Sequence, residues 1–247
     1  MFRVNLQHSY SVFLRDTMFG HFLVAALALS YRFGSGSGNP PPGGARVLHF
    51  PEPDSTLSWS LLHTSTPDLN AFTACIWIKT IRTTSGPILS YGSKSCRQCI
   101  ELGYSPFGHG YSVVLKDVSI LDRASRAEAP LPADGNWHHW CVVWSGAKRE
   151  VNIYRDGFHT LSRPVNVSLI PGGGKWVVGH THYEATPDCP PKHPSFVGFV
   201  GGVNVWDHDK VDIPGLAICA NTNEGSLISW DTVTKTNFKV ATYKEYC

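Results

Sequence analysis

Apolar residues along this chain recur in short dense clusters, not at helical spacing. Phe72 to Lys79 (FTACIWIK) is rich in aromatic and β-branched residues. So are Tyr111 to Leu115, Trp140 to Trp144, Val151 to Tyr154, Trp176 to Val178 and Val203 to Trp206. Each cluster has the length of a strand and the side chains that suit a pleated, half-buried surface. Turn signals stand between them: Ser85-Gly86-Pro87, Asp134-Gly135-Asn136, Asp156-Gly157 and Pro171 to Gly174. Val151 to Gly157 (VNIYRDG) alternates and then turns, which predicts a hairpin. The pattern predicts an all-β fold, a two-sheet antiparallel jelly-roll sandwich. Only Ile213 to Cys219 suits a helix, a short one with Pro214 early in it.

The N-terminus has a different character. Phe22 to Leu29 (FLVAALAL) is an apolar run well short of the roughly 20 residues that span a bilayer. Arg3 and Arg15 lie upstream, and Ala26-Leu27-Ala28 offers an A-x-A cleavage site, so residues 1–30 read as a secretory leader. A buried core segment or an uncleaved anchor would give a similar run. Gly34 to Gly44 (GSGSGNPPPGG) suits neither helix nor strand, so residues 31–45 read as a linker. The folded domain is then expected over 46–247, about 200 residues and enough for one sandwich. No later apolar run reaches membrane-spanning length, so no span is expected in the mature chain.

Composition narrows the chemistry. Of 247 residues, 42% are hydrophobic and only 16% charged, with a formal net charge of +2. The basic residues are scattered, so neither a nucleic-acid-binding patch nor an acidic disordered tail is expected. The seven cysteines are Cys75, Cys96, Cys99, Cys141, Cys189, Cys219 and Cys247. In a secreted chain that odd count leaves at least one thiol free or paired outside the chain.

His139-Trp140-Cys141-Val142-Val143-Trp144-Ser145 fits the pattern H-x-C-x-x-W-S/T, carried by His139, Cys141, Trp144 and Ser145. This resembles the signature of the pentraxin family. Ala71 to Trp77 is similar to the family's first cysteine strand, and Asp134 to His139 to the turn before the signature in its neuronal, long branch. Tyr154 to Gly157, Gly202 to Asp207 and Ser226 to Trp230 follow in the family's order. The resemblance covers about residues 46 to 247. It implies a flattened lectin-like, concanavalin-type jelly roll, ring oligomers that are often pentamers, and no reaction. It also pairs Cys75 with Cys141, with Trp144 and Trp77 expected to pack over that bond, and likens Cys219 and Cys247 to a second pair.

Pentraxins of the usual kind hold two calcium ions per subunit, and the resemblance therefore implies a calcium site. Calcium needs several oxygen ligands, carboxylates among them. In the expected first loop, Ser90 to Cys99, Arg97 and Gln98 fall near the family's Asp and Asn. The second run, after Gly179, reads His180-Thr181-His182-Tyr183-Glu184, with Thr181 and Tyr183 near the expected carboxylates. Pro187 to Pro194 stands where a further acidic ligand would fall, leaving only Glu184 and Asp188 to help in a shifted register. Weak or absent calcium binding is expected. Both loops carry cysteines, so a disulfide from Cys96 or Cys99 to Cys189 could replace the ionic cross-link. The rival is a local Cys96–Cys99 bond that leaves Cys189 unpaired. The C-x-x-C also permits metal or redox readings, although no second ligand pair at regular spacing accompanies it.

The remaining candidates are weaker. His180 and His182 would share one face of a strand as a zinc or copper pair, for want of a third ligand more simply surface histidines. A hydrolase on a lectin-like fold needs paired carboxylates, and no E-x-D-x-E run or G-x-S-x-G is present. Asn166-Val167-Ser168 is a glycosylation sequon. The sequence therefore predicts a secreted, non-enzymatic recognition or adhesion module that self-associates, with an extracellular protein, glycan or phospho-head-group as ligand. The alternative is a pentraxin-type ectodomain piece of a larger cell-surface protein that acts in docking.

Overall fold

In the computed structural model the clusters become strands of two antiparallel sheets. It describes residues 46–51, 57–81, 86–104, 111–116, 118–121, 133–182, 195–218 and 224–244. The leader, the linker, Tyr183, Glu184, Asp188, Cys189, Cys219 and Cys247 lie outside the described residues. The strands are β1 (Arg46–Phe50), β2 (Trp59–His63), β3 (Ala71–Lys79), β4 (Gly86–Ser93), β5 (Cys96–Tyr104), β6 (Tyr111–Leu115) and β7 (Val118–Leu121). They continue as β8 (Trp137–Ser145), β9 (Glu150–Arg155), β10 (Phe158–Pro164), β11 (Lys175–Val178) and β12 (Gly198–Trp206). A single helical turn, α1 (Ile213–Leu216), precedes β13 (Thr234–Phe238) and β14 (Ala241–Lys244). The first sheet runs β10-β9-β8-β3-β12-β1-β14, and the second β13-β2-β11-β4-β5-β6-β7.

Between the sheets lies one apolar core, to which β8 contributes Trp140, Val142 and Trp144. All three are fully buried, as are Phe50, Phe72 and Trp176. Truncating one of these tryptophans would cost about 3–5 kcal/mol. The alternate residues of β8 face the other way, because successive strand side chains point to opposite faces. Cys141 and Val143 therefore lie on the outer face of the first sheet, in a separate cluster with Cys75, Trp206, Ile213 and Leu216. Cys75 stands directly opposite Cys141 in the β3–β8 ladder, and the two are bonded. The tryptophan expected over this bond is corrected here. Trp144 faces the inner core, three positions and hence one face away, and Trp77 packs with Val47 and Trp137. Trp206 and the apolar side of α1 cover the disulfide instead.

The turns obey their residue chemistry. Asp156 and Gly157 join β9 to β10 with φ of 50° and 84°, the paired positive values of a type I′ hairpin. Asn136 donates its backbone N–H to Asp134 Oδ1 at 2.8 Å before β8. The turn predicted at Ser85-Gly86-Pro87 needs correction, since Gly86 and Pro87 open β4. Pro87 pairs only with β5, and a register shift follows it before Leu89. The other neighbour, β11, reaches β4 only from Leu89 to Gly92, so the missing N–H costs no ladder bond on that side.

Candidate functional site

The expected first calcium loop is not a loop. Ser90 to Ser93 end β4, Lys94 and Ser95 make a tight turn, and Cys96 to Cys99 begin β5. A polar, glycine-bearing stretch can still be a strand when its backbone is paired on both sides. Here Tyr91 pairs with Ile100 and Ser93 with Cys96, while β11 lies along the opposite edge of β4. Tyr91 fixes the depth of the hairpin. Its ring packs on Trp176 at 4.7 Å, and its hydroxyl donates to Pro171 O at 2.9 Å and accepts the Gly174 N–H at 3.0 Å.

The second run does return to this hairpin. After β11, Gly179 takes φ of 86°, and any Cβ there would strike the Phe50 ring. Only glycine combines that conformation with that closeness. The chain then doubles back, and Ser90 Oγ donates to His180 O at 2.8 Å. His180 is fully buried, and its Nδ1 accepts the Thr181 N–H at 2.8 Å. His182 reaches Gly92, where an added Cβ would meet its Nδ1 at 2.5 Å and would also collide with the Arg97 carbonyl oxygen. Thus β4, the start of β5 and the segment after β11 converge on Gly92. The two histidines are not paired on a strand face as expected, because the strand ends at Val178 before either of them.

The described side chains at this point are not those that a hard cation prefers. Ser90 to Cys99 and Gly179 to His182 contain no carboxylate. Arg97 and Lys94 are exposed cations, Gln98 is half-buried and Thr181 is buried. Burial, and then the charge of Lys175, hold His182 below the ordinary imidazole value. Among the described residues this point presents imidazole and ammonium groups, while Glu184 and Asp188 lie outside them. Cys96 is bonded to Cys99, the local pairing of the two readings left open by the sequence.

The signature residues serve the frame. His139, Cys75 and Cys141 place three ligand-type atoms within 4.8 Å of one another, but the disulfide removes both thiolates that a metal would need. Burial drives the His139 pKa down to about 4, against the opposing charge of Asp156. Its neutral ring lies against Trp77, centroids 4.9 Å apart. A feature missed in the sequence stands next to it. His138 is buried, with Nδ1 3.0 Å from Asp156 Oδ2 and Nε2 3.4 Å from Asp134 Oδ1. Asp156 also accepts the His139 N–H at 2.8 Å. Burial lowers the His138 pKa, but the hydrogen bond and charge of Asp156, aided by Asp134, outweigh it and leave the value raised. The D-G-x-x-H spacing held the signal: Asp134 lies four residues before His138, and Asp156 is the turn residue after β9.

Residues 54–210 match the family model described as the concanavalin A-like lectin/glucanases superfamily. The chain belongs to this superfamily. Within it, the similarity is to pentraxins. The rat neuronal pentraxin receptor is 27% identical over 184 residues, covering 67% of this chain and 33% of that protein. Human neuronal pentraxin-1 is 27% identical over 207 residues, covering 76% of this chain and 43% of its own length. The chain thus matches about a third to two-fifths of the length of these relatives. Among solved structures, the native heptameric SAP-like pentraxin of Limulus polyphemus superposes with a TM-score of 0.64 at 19% identity, covering 81% of this chain and 94% of that one. The extracellular region of zebrafish Gpr126/Adgrg6 gives 0.62 at 15% identity, covering 82% of this chain and 26% of that one. The lectin-like jelly roll expected from the signature is therefore the fold observed. No helix among the described residues is long and apolar enough to cross a membrane.

Proposed function

We propose that this pentraxin-like binding module works outside the cell as a non-enzymatic recognition or adhesion unit whose copies self-associate, and that it recognises its ligand without calcium. The observation that supports the reading is the convergence of β4, β5 and the segment after β11 on Gly92, with Arg97, Gln98, Thr181 and His182 on the runs where the resemblance to pentraxins implies calcium ligands. The superfamily's catalytic members would need two free carboxylates flanking a substrate. Asp134 and Asp156 instead both turn to His138. Self-association is supported by the heptameric Limulus pentraxin, whose fold this chain shares. Calcium titration followed by thermal melting tests the site, since a ligand that binds only the folded state stabilises it by mass action. The melting temperature is expected to stay constant up to millimolar calcium, and a rise of several degrees overturns the reading. Solution mass tests assembly, and a mass of one subunit removes the ring.

One observation favours a second reading, a docking module within a larger cell-surface protein. The chain covers 26% of the Gpr126/Adgrg6 extracellular region at a TM-score of 0.62 and only 33% of the rat neuronal pentraxin receptor. A single-subunit mass would favour this reading.

A further inference from the structure

The two disulfides sit in opposite surroundings. Cys75 and Cys141 are 2% and 0% exposed, roofed by Trp206, Ile213 and Leu216, and their bond spans 66 positions of sequence. The Cys96–Cys99 bond spans 3 positions and closes nothing beyond Arg97 and Gln98. The backbone on either side of it is held independently. Ser93 pairs with Cys96, Tyr91 with Ile100, and the Lys116 N–H donates to Cys99 O at 3.0 Å. The hairpin therefore does not depend on the bond for its shape. The two sulfurs also differ. Cys99 is 0% exposed within the core, whereas Cys96 is only partly buried against that core, beside the exposed Lys94-Ser95 turn.

We propose that Cys96–Cys99 is a thiol-exchange site that takes a low-molecular-weight anionic thiol at Cys96. Exchange needs a thiolate to reach one sulfur along the bond axis while the other leaves. Cys96 is the less buried of the two cysteines, and exposed Lys94 beside it places positive charge where an anionic thiolate would arrive. The incoming thiolate sulfur bonds to Cys96 Sγ as the Cys96–Cys99 bond breaks, and the electron pair leaves on Cys99 Sγ. Cys99 lies 3.9 Å from the Ser93 hydroxyl, which can donate to that sulfur, and it takes up the proton that the attacking thiol lost. A second thiolate then attacks the sulfur of the bound small thiol. This releases a small-molecule disulfide and leaves both cysteines reduced. Two small thiols are oxidised and one protein disulfide is reduced, so the electrons balance. The site adjoins Gly92, but the argument rests on exposure and ladder pairing and stands whether or not calcium binds there.

The test uses the full folded chain in a series of reduced and oxidised glutathione buffers. Samples are quenched by alkylation and mapped as peptides by mass spectrometry. Cys96 and Cys99 should become alkylated in buffers that leave Cys75–Cys141 intact, with any glutathione adduct on Cys96. The variants Cys99→Ser and Cys96→Ser, each first checked by thermal melting, sharpen the result. Under oxidised glutathione, Cys96 in C99S should be modified at least tenfold faster than Cys99 in C96S. The proposal is overturned if both disulfides reduce together, if Cys96–Cys99 opens only on unfolding, if the adduct falls on Cys99, or if either cysteine is found bonded to Cys189.

Discussion

Replacing Cys75 and Cys141 together by alanine should lower the melting temperature much further than replacing Cys96 and Cys99. The first bond joins positions 66 apart, and the second positions 3 apart. Closing the longer loop in the unfolded chain removes entropy equivalent to about 4 kcal/mol at room temperature, and closing the shorter one about 2 kcal/mol. For a domain of this size each kcal/mol moves the midpoint by about 2–4 °C. The C75A/C141A chain should therefore melt about 8–16 °C lower, and the C96A/C99A chain about half as much lower. The bond's burial under Trp206 and α1 adds to the first effect, because truncation leaves space beneath the helical turn. The assay is a reversible melt followed by tryptophan fluorescence, with all eight tryptophans buried in the native state. A C75A/C141A midpoint within about 3 °C of the parent, or one above that of C96A/C99A, refutes the reasoning, which equates loop length with stabilisation.

Three further outcomes follow from the geometry. The raised pKa of His138 contributes stability that is complete below the unfolded imidazole value and is lost as pH climbs through the higher folded value. The lowered pKa of Asp156 contributes stability present above its unfolded value and lost as pH falls through the folded one. His139 and His182, whose pKa values are lowered, add a rise in stability as pH climbs towards the unfolded imidazole value, so the His138 term is read as a difference. Above that value urea midpoints should fall in the parent and fall less in H138Q; parallel profiles for the two remove the clamp. Gly92→Val should cost about 1–3 kcal/mol in a urea titration, because its side chain strikes the Arg97 carbonyl and the His182 ring; parent-like stability would mean that the three segments do not meet there. Expressed through a secretory pathway, the chain should carry a glycan at exposed Asn166 that N166Q abolishes, as read by intact mass; an unmodified parent chain contradicts an extracellular route.

Strands that lie inside the sandwich were legible, because their clusters are continuous and apolar. FTACIWIK became β3, and the signature became β8. Strands at the sheet edges were not. Thr234–Phe238 and Ala241–Lys244 are polar and largely exposed, and they owe their conformation to pairing with β2 and β1. Ser90 to Cys99 resembles a loop in its serines, lysine and glycine, while the β4–β5 pairing and β11 along β4 impose the extended form. The error over Trp144 was avoidable. Three residues separate it from Cys141, and an odd spacing along a strand means opposite faces. The clamp at His138 required the fold, since Asp156 reaches it only through the β8–β9 pairing, 18 positions away in sequence.

The convergence on Gly92 also bears on how a recognition site of this kind holds together. In the family that the signature resembles, a metal ion joins two loops and then the ligand, so cohesion and recognition are one device. On the reading proposed above, cohesion comes from the protein's own groups. Ser90 Oγ grips the His180 carbonyl at 2.8 Å, the Gly179 backbone turns against Phe50, and the His182 ring fills the space that only a glycine at 92 leaves open. Each of these contacts uses backbone or neutral groups. The rim carries exposed positive charge from Lys94 and Lys175. A cation at such a rim would meet repulsion, whereas a carboxylate, sulfate or phosphate would not. A binder selected by this site should therefore be anionic and should weaken as salt is raised. If binding instead strengthens with calcium and ignores salt, the site of recognition lies elsewhere on the sandwich.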